Sequence, residues 1–192
     1  MGTYRVNYGE QESMIVVLVG RRIDPPNAAA PIFPLSAVSK VRERILELFQ
    51  REQVSVLVCS AACGADLVAH DAAASLGIRR RVVLPFAPDR FRSSSVVDRP
   101  GDWGPLFDRV IAGAIEQNDL VDLNLDAEND ACYVAANQAL IDESYALAVA
   151  SHSPILAVLV WNGVSRGESD ITSGFGDAAR ARGWAVLEIS TL

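Results

Sequence analysis

The sequence predicts a three-layer, doubly wound α/β fold with a mainly parallel sheet, and three observations predict it. Short apolar runs alternate with longer helical patterns along the chain. The strongest runs, MIVVLV and ILAVLVW, are continuous rather than alternating, as in strands buried on both faces. Helical stretches separate consecutive strands, which is the pattern of parallel βαβ units.

Each element has its own signal. Residues 14–19 read as the first strand. Residues 36–50 follow as a helix, with Ser36 as its N-cap and Val41, Ile45, Leu48 and Phe49 on one face. Residues 54–58 (VSVLV) form the second strand, and residues 64–76 a helix ended by Gly77. A third strand is expected over 81–84, a helix over 108–117 and a short strand over 120–123. A long helix, broken near its start, spans 128–150. Then come a buried strand over 155–161, a helix over 172–182 with Gly183 after it, and a last strand over 185–189. Residues 20–35 and 87–104 are expected as long loops, a length often tied to function. The run Arg79-Arg80-Arg81 leads into a strand at its amino end and reads as solvated or helix-capping. No repeat or low-complexity linker divides the chain, so one domain is expected over 1–192, with 1–13 as a tail.

Composition narrows the function. The chain has 192 residues, half of them hydrophobic, and a net charge of −7. That balance disfavours binding to duplex nucleic acid, which needs clustered Lys and Arg to neutralise phosphates. Cys59, Cys63 and Cys132, with His70 and His152, offer no familiar zinc-ligand spacing, so no metal and no resident cofactor are expected. The cysteines read as buried thiols. The first residues are polar and no apolar run reaches the roughly 20 residues of a membrane span. The expectation is a cytoplasmic protein without a membrane partner. The apolar helix over 133–149 suits either a buried core position or the interface of a homo-oligomer.

Ligands of open parallel sheets bind beyond the carboxyl ends of the strands. The segments there are GRRIDPP (from Gly20), CSAACGAD (from Cys59), PFAPDRFRSSS (from Pro85) and NGVSRGESDITSGFGD (from Asn162). The second lacks both the dinucleotide and the P-loop fingerprints. Its small residues Ser60, Ala61, Gly64 and Ala65 nevertheless let the backbone approach a ligand, and the first amides of the following helix favour an anion. A tight strand-to-helix corner would use the same glycine. Asp66 and His70 share a helix face, either toward a ligand or as a first-turn acid and a buried histidine. Arg21, Arg22, Arg90 and Arg92 offer forked phosphate contacts. Asn162 and Gly163 end the strongest strand. Thr172 or Ser173 is placed to cap the next helix or bond a phosphate, and Gly174 and Gly176 allow close approach.

The segment ACGADLVAH, with Ala62, Gly64, Asp66, Ala69 and His70, resembles the strand-helix signature of the DNA-processing family DprA/Smf. That family and the cytokinin-activating "Lonely guy" enzymes belong to the SLOG superfamily of Rossmann-like domains. The fuller resemblance is to a bacterial, signalling-associated SLOG branch. Its segments run in order as GRRID (20–24), GAD (64–66), VVLPF (82–86), DRFRSSSV (89–96), YVAAN (133–137), WNG (161–163) and SGFGD (173–177). The resemblance implies a nucleotide or nucleotide-derived ligand at the carboxyl edge, with Pro85 and Asn137 joining the residues above. It also implies a choice between a sensor without turnover and a nucleosidase or phosphoribohydrolase. SGFGD stands where "Lonely guy" enzymes have P-G-G-x-G-T-x-x-E, and Cys63 stands where DprA has arginine. For hydrolysis, the candidate carboxylates are Asp177, Asp66 and Asp24, with Glu168 and Asp170 nearby.

Overall fold

The computed structural model describes residues 13–129 and 131–192. Apart from Ser13, the expected tail lies outside the described residues. Six strands are present: β1 (Met14–Gly20), β2 (Val54–Cys59), β3 (Arg79–Leu84), β4 (Leu120–Asp122), β5 (Ile155–Trp161) and β6 (Ala185–Ser190). The helices are α1 (Val38–Arg51), α2 (Ala65–Ser75), α3 (Pro88–Ser95), α4 (Gly104–Glu116), α5 (Ala131–Ser151) and α6 (Ile171–Ala181). The strands form one sheet in the order β4-β3-β2-β1-β5-β6. All five neighbouring pairs are parallel. The fold is a three-layer, doubly wound, Rossmann-like α/β sandwich.

Burial explains the unbroken apolar strands. Along β1, Val16 and Leu18 join a core with α1, α2 and α4. Ile15, Val17 and Val19 join a second core with α5 and α6. Successive side chains point to opposite faces, and here both faces are covered, so neither position tolerates a polar residue. Chain order reverses at β1: β2, β3 and β4 lie on one side of it, and α5 carries the chain back to β5 on the other.

Several boundaries differ from expectation for local reasons. Ser36 does not cap α1. It lies inside a 3-10 turn, Leu35–Ala37, that follows extended Pro34, and α1 begins at Val38 without a side-chain cap. The expected loop over 87–104 contains α3, which starts on Pro88 and buries Phe91 and Ser95. Phe91 packs against Phe86 and Phe107, with ring centroids 5.8 and 6.2 Å away. The early part of the expected helix over 128–150 is instead two side-chain turns. In these, Asp126 Oδ1 accepts the Glu128 amide and Asn129 Oδ1 accepts the Ala131 amide, both at 3.0 Å. The arginines 79–81 form the first half of β3 rather than leading into it; Arg79 is exposed, as expected, and Arg80 and Arg81 are half-buried. Arg79 grips the buried Asp119 carboxylate with two bonds of 2.8 and 2.6 Å, and Arg81 adds Glu143. Among the described residues, no helix is long and apolar enough to cross a membrane.

Candidate functional site

A cleft of about 410 Å³ opens at the carboxyl edge of β1, β2 and β3, beside the point where strand order reverses. The ends of β1 and β2 form its floor. α5 and the start of α6 form one wall, and α3 with the segment after it forms the other. Of the residues singled out from sequence, Gly20, Arg21, Arg22, Asp24, Ser60, Asp66, Pro85, Asn137 and Thr172 line it.

The β2–α2 corner is closely packed. A Cβ on Gly20 would lie 2.3 Å from the Ala65 Cβ and 2.7 Å from the Val160 carbonyl. Gly64 has φ +103° and pairs with Arg22 in a short antiparallel bridge; a Cβ there would meet the Arg21 carbonyl at 2.7 Å. The expected anion cradle over 60–65 is therefore corrected. The Ala65 amide donates to the Arg21 carbonyl at 3.1 Å, that of Cys63 to Ser95 at 3.0 Å, and that of Ala62 to Asp66 Oδ2 at 3.1 Å. Three of the donors that would hold an anion are already used. Ala61, Gly64 and Ala65 do not line the cleft; Ser60, Ala62 and Asp66 do.

Asp66 is 8% exposed. Burial pushes its carboxyl up to about 7, against the opposing pull of the Ala62 amide, the Cys59 thiol and the Arg22 charge. One turn on, His70 is wholly buried and does not line the cleft, so the two do not form a ligand-facing pair. Its Nε2 donates to the Ser60 carbonyl at 2.7 Å, and burial lowers its pKa to about 4. His70 thus holds the Ser60 backbone as a neutral ring.

Arg21 is corrected from a phosphate fork to a buried tie. Its Nη1 and Nη2 donate to Asp170 Oδ1 and Oδ2 at 2.6 and 2.7 Å, and Nη2 also reaches the Val164 carbonyl at 2.8 Å. The guanidinium lies 5.5 Å from the Trp161 ring centre. Asp170, not Thr172 or Ser173, caps α6: it accepts their amides at 3.0 and 3.4 Å and that of Arg166 at 2.8 Å. Burial alone would raise the Asp170 carboxyl, but the Arg21 guanidinium and these amides hold it well below the usual carboxylate range. The start of α6 therefore already carries its own anion.

The other wall residues brace the site. Asp24 Oδ2 accepts the Ile32 and Phe33 amides at 2.9 and 3.0 Å, which folds the loop after β1 back on itself. Asn137 Nδ2 donates to the Ile171 carbonyl at 2.9 Å and joins α5 to α6. Arg22 pairs with Asp98.

Other expected residues lie elsewhere. Asp177 sits nearly two turns into α6 on the outer face; its side chain is 75% exposed and lies 3.4 Å from Arg180. Ser173 and Gly174 sit near the start of α6 without lining the cleft. Arg90 pairs with Glu128 and Arg92 with Asp108, both near the surface. Asn162 and Gly163 follow β5 outside the cleft, and Glu168 is exposed. Conversely, Ser95, Arg99, Tyr133 and Arg166 line the cleft. Ser95 and Tyr133 stood inside the DRFRSSSV and YVAAN segments, Arg166 inside the segment after the fifth strand and Arg99 inside the expected loop over 87–104, though neither arginine was singled out. Among the described residues, no three His, Cys, Asp or Glu side chains are grouped to hold a metal ion.

No family model and no curated protein matches the chain. Among solved structures it is similar to DNA processing protein A (DprA) from Streptococcus pneumoniae, with 15% sequence identity and a TM-score of 0.42. The match covers 92% of this chain and 59% of that one, so the chain spans less than two thirds of that structure's length.

Proposed function

We propose that this chain is a SLOG-type module that binds a nucleotide or nucleotide-derived molecule in the cleft beside β1 and acts as a sensor or signalling element. The observation that carries the reading is the division of charge in the cleft. Beside Arg21, which is tied to Asp170, three further arginines, Arg22, Arg99 and Arg166, stand in its lining, while Ser60, Asp66, Asn137 and Thr172 supply hydrogen-bonding groups. A sugar and base suit such groups, and a phosphate suits guanidinium forks. The cleft's volume of about 410 Å³ falls in the usual range for small-molecule sites. A net charge of −7 favours a small anion drawn to a local cationic site over duplex nucleic acid. Cys59, Cys63 and Cys132 are all buried, a usage that suits the cytoplasm. Val134, Tyr145 and Val149 stand exposed on α5, and pairing of two copies through them is testable by analytical ultracentrifugation.

One observation favours a second reading, hydrolysis of the N-glycosidic bond of a nucleoside monophosphate. Asp66 is a buried carboxyl in the cleft with a pKa pushed up to about 7, the value suited to giving and taking a proton near neutrality. Asp24 is then the second carboxylate and Asp177 has no part.

Both readings are tested by incubating the protein with nucleoside monophosphates, NAD and ADP-ribose. Thermal shift reports binding, and chromatography reports free base. A shift without base release supports the sensor; base release lost in Asp66→Asn and kept in Asp177→Ala supports the hydrolase. No response to any compound overturns both. A ligand at a hundred times its dissociation constant stabilises by about 2.7 kcal/mol, well within reach of the assay.

A further inference from the structure

The arginines around the cleft are held in two different ways. Arg21 is 2% exposed, and its partner Asp170 is anchored by three backbone amides as well as by the guanidinium. That pair is a fixed part of the fold. Arg22 and Arg99 converge instead on one carboxylate, Asp98: Arg22 Nη2 bonds Oδ1, and Arg99 Nε lies 3.4 Å from Oδ2. Each of these three side chains is about a third exposed, at 31%, 27% and 33% for Arg22, Arg99 and Asp98. Among the described residues, Asp98 accepts no backbone amide; the two guanidinium groups are its partners. Both arginines line the cleft, and Asp98 does not.

We infer that Arg22 and Arg99 form an anion subsite at the edge of the cleft, made for a phosphate-class dianion and masked in the free protein by Asp98. This deepens the cleft reading and rests on it for the rest of the ligand. Two cations share one negative charge, so the cluster keeps a net positive charge on a chain whose own net charge is −7. A dianion satisfies both forks, whereas a single carboxylate supplies half that charge. Displacing Asp98 costs little, because part-exposed ion pairs are weak and no amide restrains it. Once released, the Asp98 side chain turns to solvent, since its residue is already exposed. Asp98 is therefore a built-in competitor that sets how much anion is needed to fill the site.

The test is calorimetric titration of the full chain with inorganic pyrophosphate at low ionic strength. Wild type is compared with Asp98→Asn and Arg99→Gln, and AMP and adenosine serve as parallel probes. Asp98→Asn should bind pyrophosphate and AMP at least about tenfold more tightly, and Arg99→Gln about tenfold more weakly, the effect of one charge-assisted contact. Adenosine affinity should not change among the three. Equal pyrophosphate affinity in wild type and Asp98→Asn, or in wild type and Arg99→Gln, overturns the subsite, as does no pyrophosphate binding at all. If circular dichroism shows Asp98→Asn unfolded, Arg99→Gln decides alone. Pyrophosphate binding that follows the variants, with adenosine and AMP inert, keeps the subsite and removes the nucleotide reading. The reverse pattern keeps the nucleotide and removes the subsite.

Discussion

Replacing Asp66 by Asn should make the protein more stable at neutral pH and leave it nearly unchanged in acid. The carboxyl is 8% exposed, and burial raises its pKa from 3.8 to about 7. A folded-state pKa above the unfolded one means that the folded chain holds the proton longer. The favourable contribution is complete below the unfolded value and is lost as pH rises from about 4 to about 7. Converting that gap at 1.36 kcal/mol per pKa unit, the wild type forfeits about 3 kcal/mol at pH 6 and about 4 kcal/mol at pH 8. Asn cannot ionise, and its side-chain oxygen can still accept the Ala62 amide that Asp66 now binds at 3.1 Å. The assay is urea denaturation of both proteins at pH 4, 6 and 8. The stability of Asp66→Asn minus that of wild type should climb by several kcal/mol across the series. A difference that stays flat, or that grows toward acid, refutes the reasoning.

His70 works in the opposite direction over an overlapping window. Its pKa is lowered from 6.5 to about 4, so its contribution is present above about 6.5 and lost as pH falls through 4. The wild-type pH curve should therefore be flatter than that of Asp66→Asn, and the His70 ring signals should not titrate by NMR between pH 7.5 and 5. A midpoint near 6.5 would contradict the buried neutral ring. Asp170→Ala strips Arg21 of its buried partner and α6 of its cap, and should cost about 3–5 kcal/mol in chemical denaturation. Arg21→Met with Asp170→Ala should cost less than Asp170→Ala alone. Gly64→Ala, forced to φ +103° against the Arg21 carbonyl and the Ile23 amide, should lose about 3 kcal/mol or more. Gly174→Ala, with nothing within 4 Å of the new Cβ, should gain about 0.5–1 kcal/mol in melting experiments and leave ligand binding unchanged.

The layers of this fold are legible because the physics that sets them is local. β1 and β5 are apolar at every position since both faces of the central sheet are covered, and a run of that kind admits few other readings. α3 was not legible: PDRFRSSS has one large apolar residue, and it holds its helix through contacts of Phe91 with rings before and after it. The strand-end rule led to the cleft residues Gly20, Arg22, Asp24, Ser60 and Asp66 because topology alone brings strand ends together. It misjudged Arg21 because the partner that uses up its guanidinium lies 149 positions further on. It misjudged Asp177 because the Asp170 cap sets where α6 begins, and that register turns residue 177 outward. Arg99 was not singled out within the expected loop over 87–104 because its role depends on where the chain leaves α3.

The bridge between Arg22 and Gly64 has a consequence for how this molecule can change length. It stitches the loop after β1 to the loop after β2, and Gly20 and Gly64 leave no room for either to shift. An added residue in one loop would need a matching change in the other, so the two can only be edited together. The segment after β5 is held differently: its Val164 carbonyl and Arg166 amide bond the Arg21–Asp170 pair, but residues 163–169 are exposed, and Gly163 and Gly167 face open space. A scan of single-residue insertions should find 20–24 and 60–65 closed, and 163–169 more tolerant except at Val164 and Arg166, which bond the Arg21–Asp170 pair. New specificity would then enter this scaffold through one rim of the cleft while the opposite rim stays fixed.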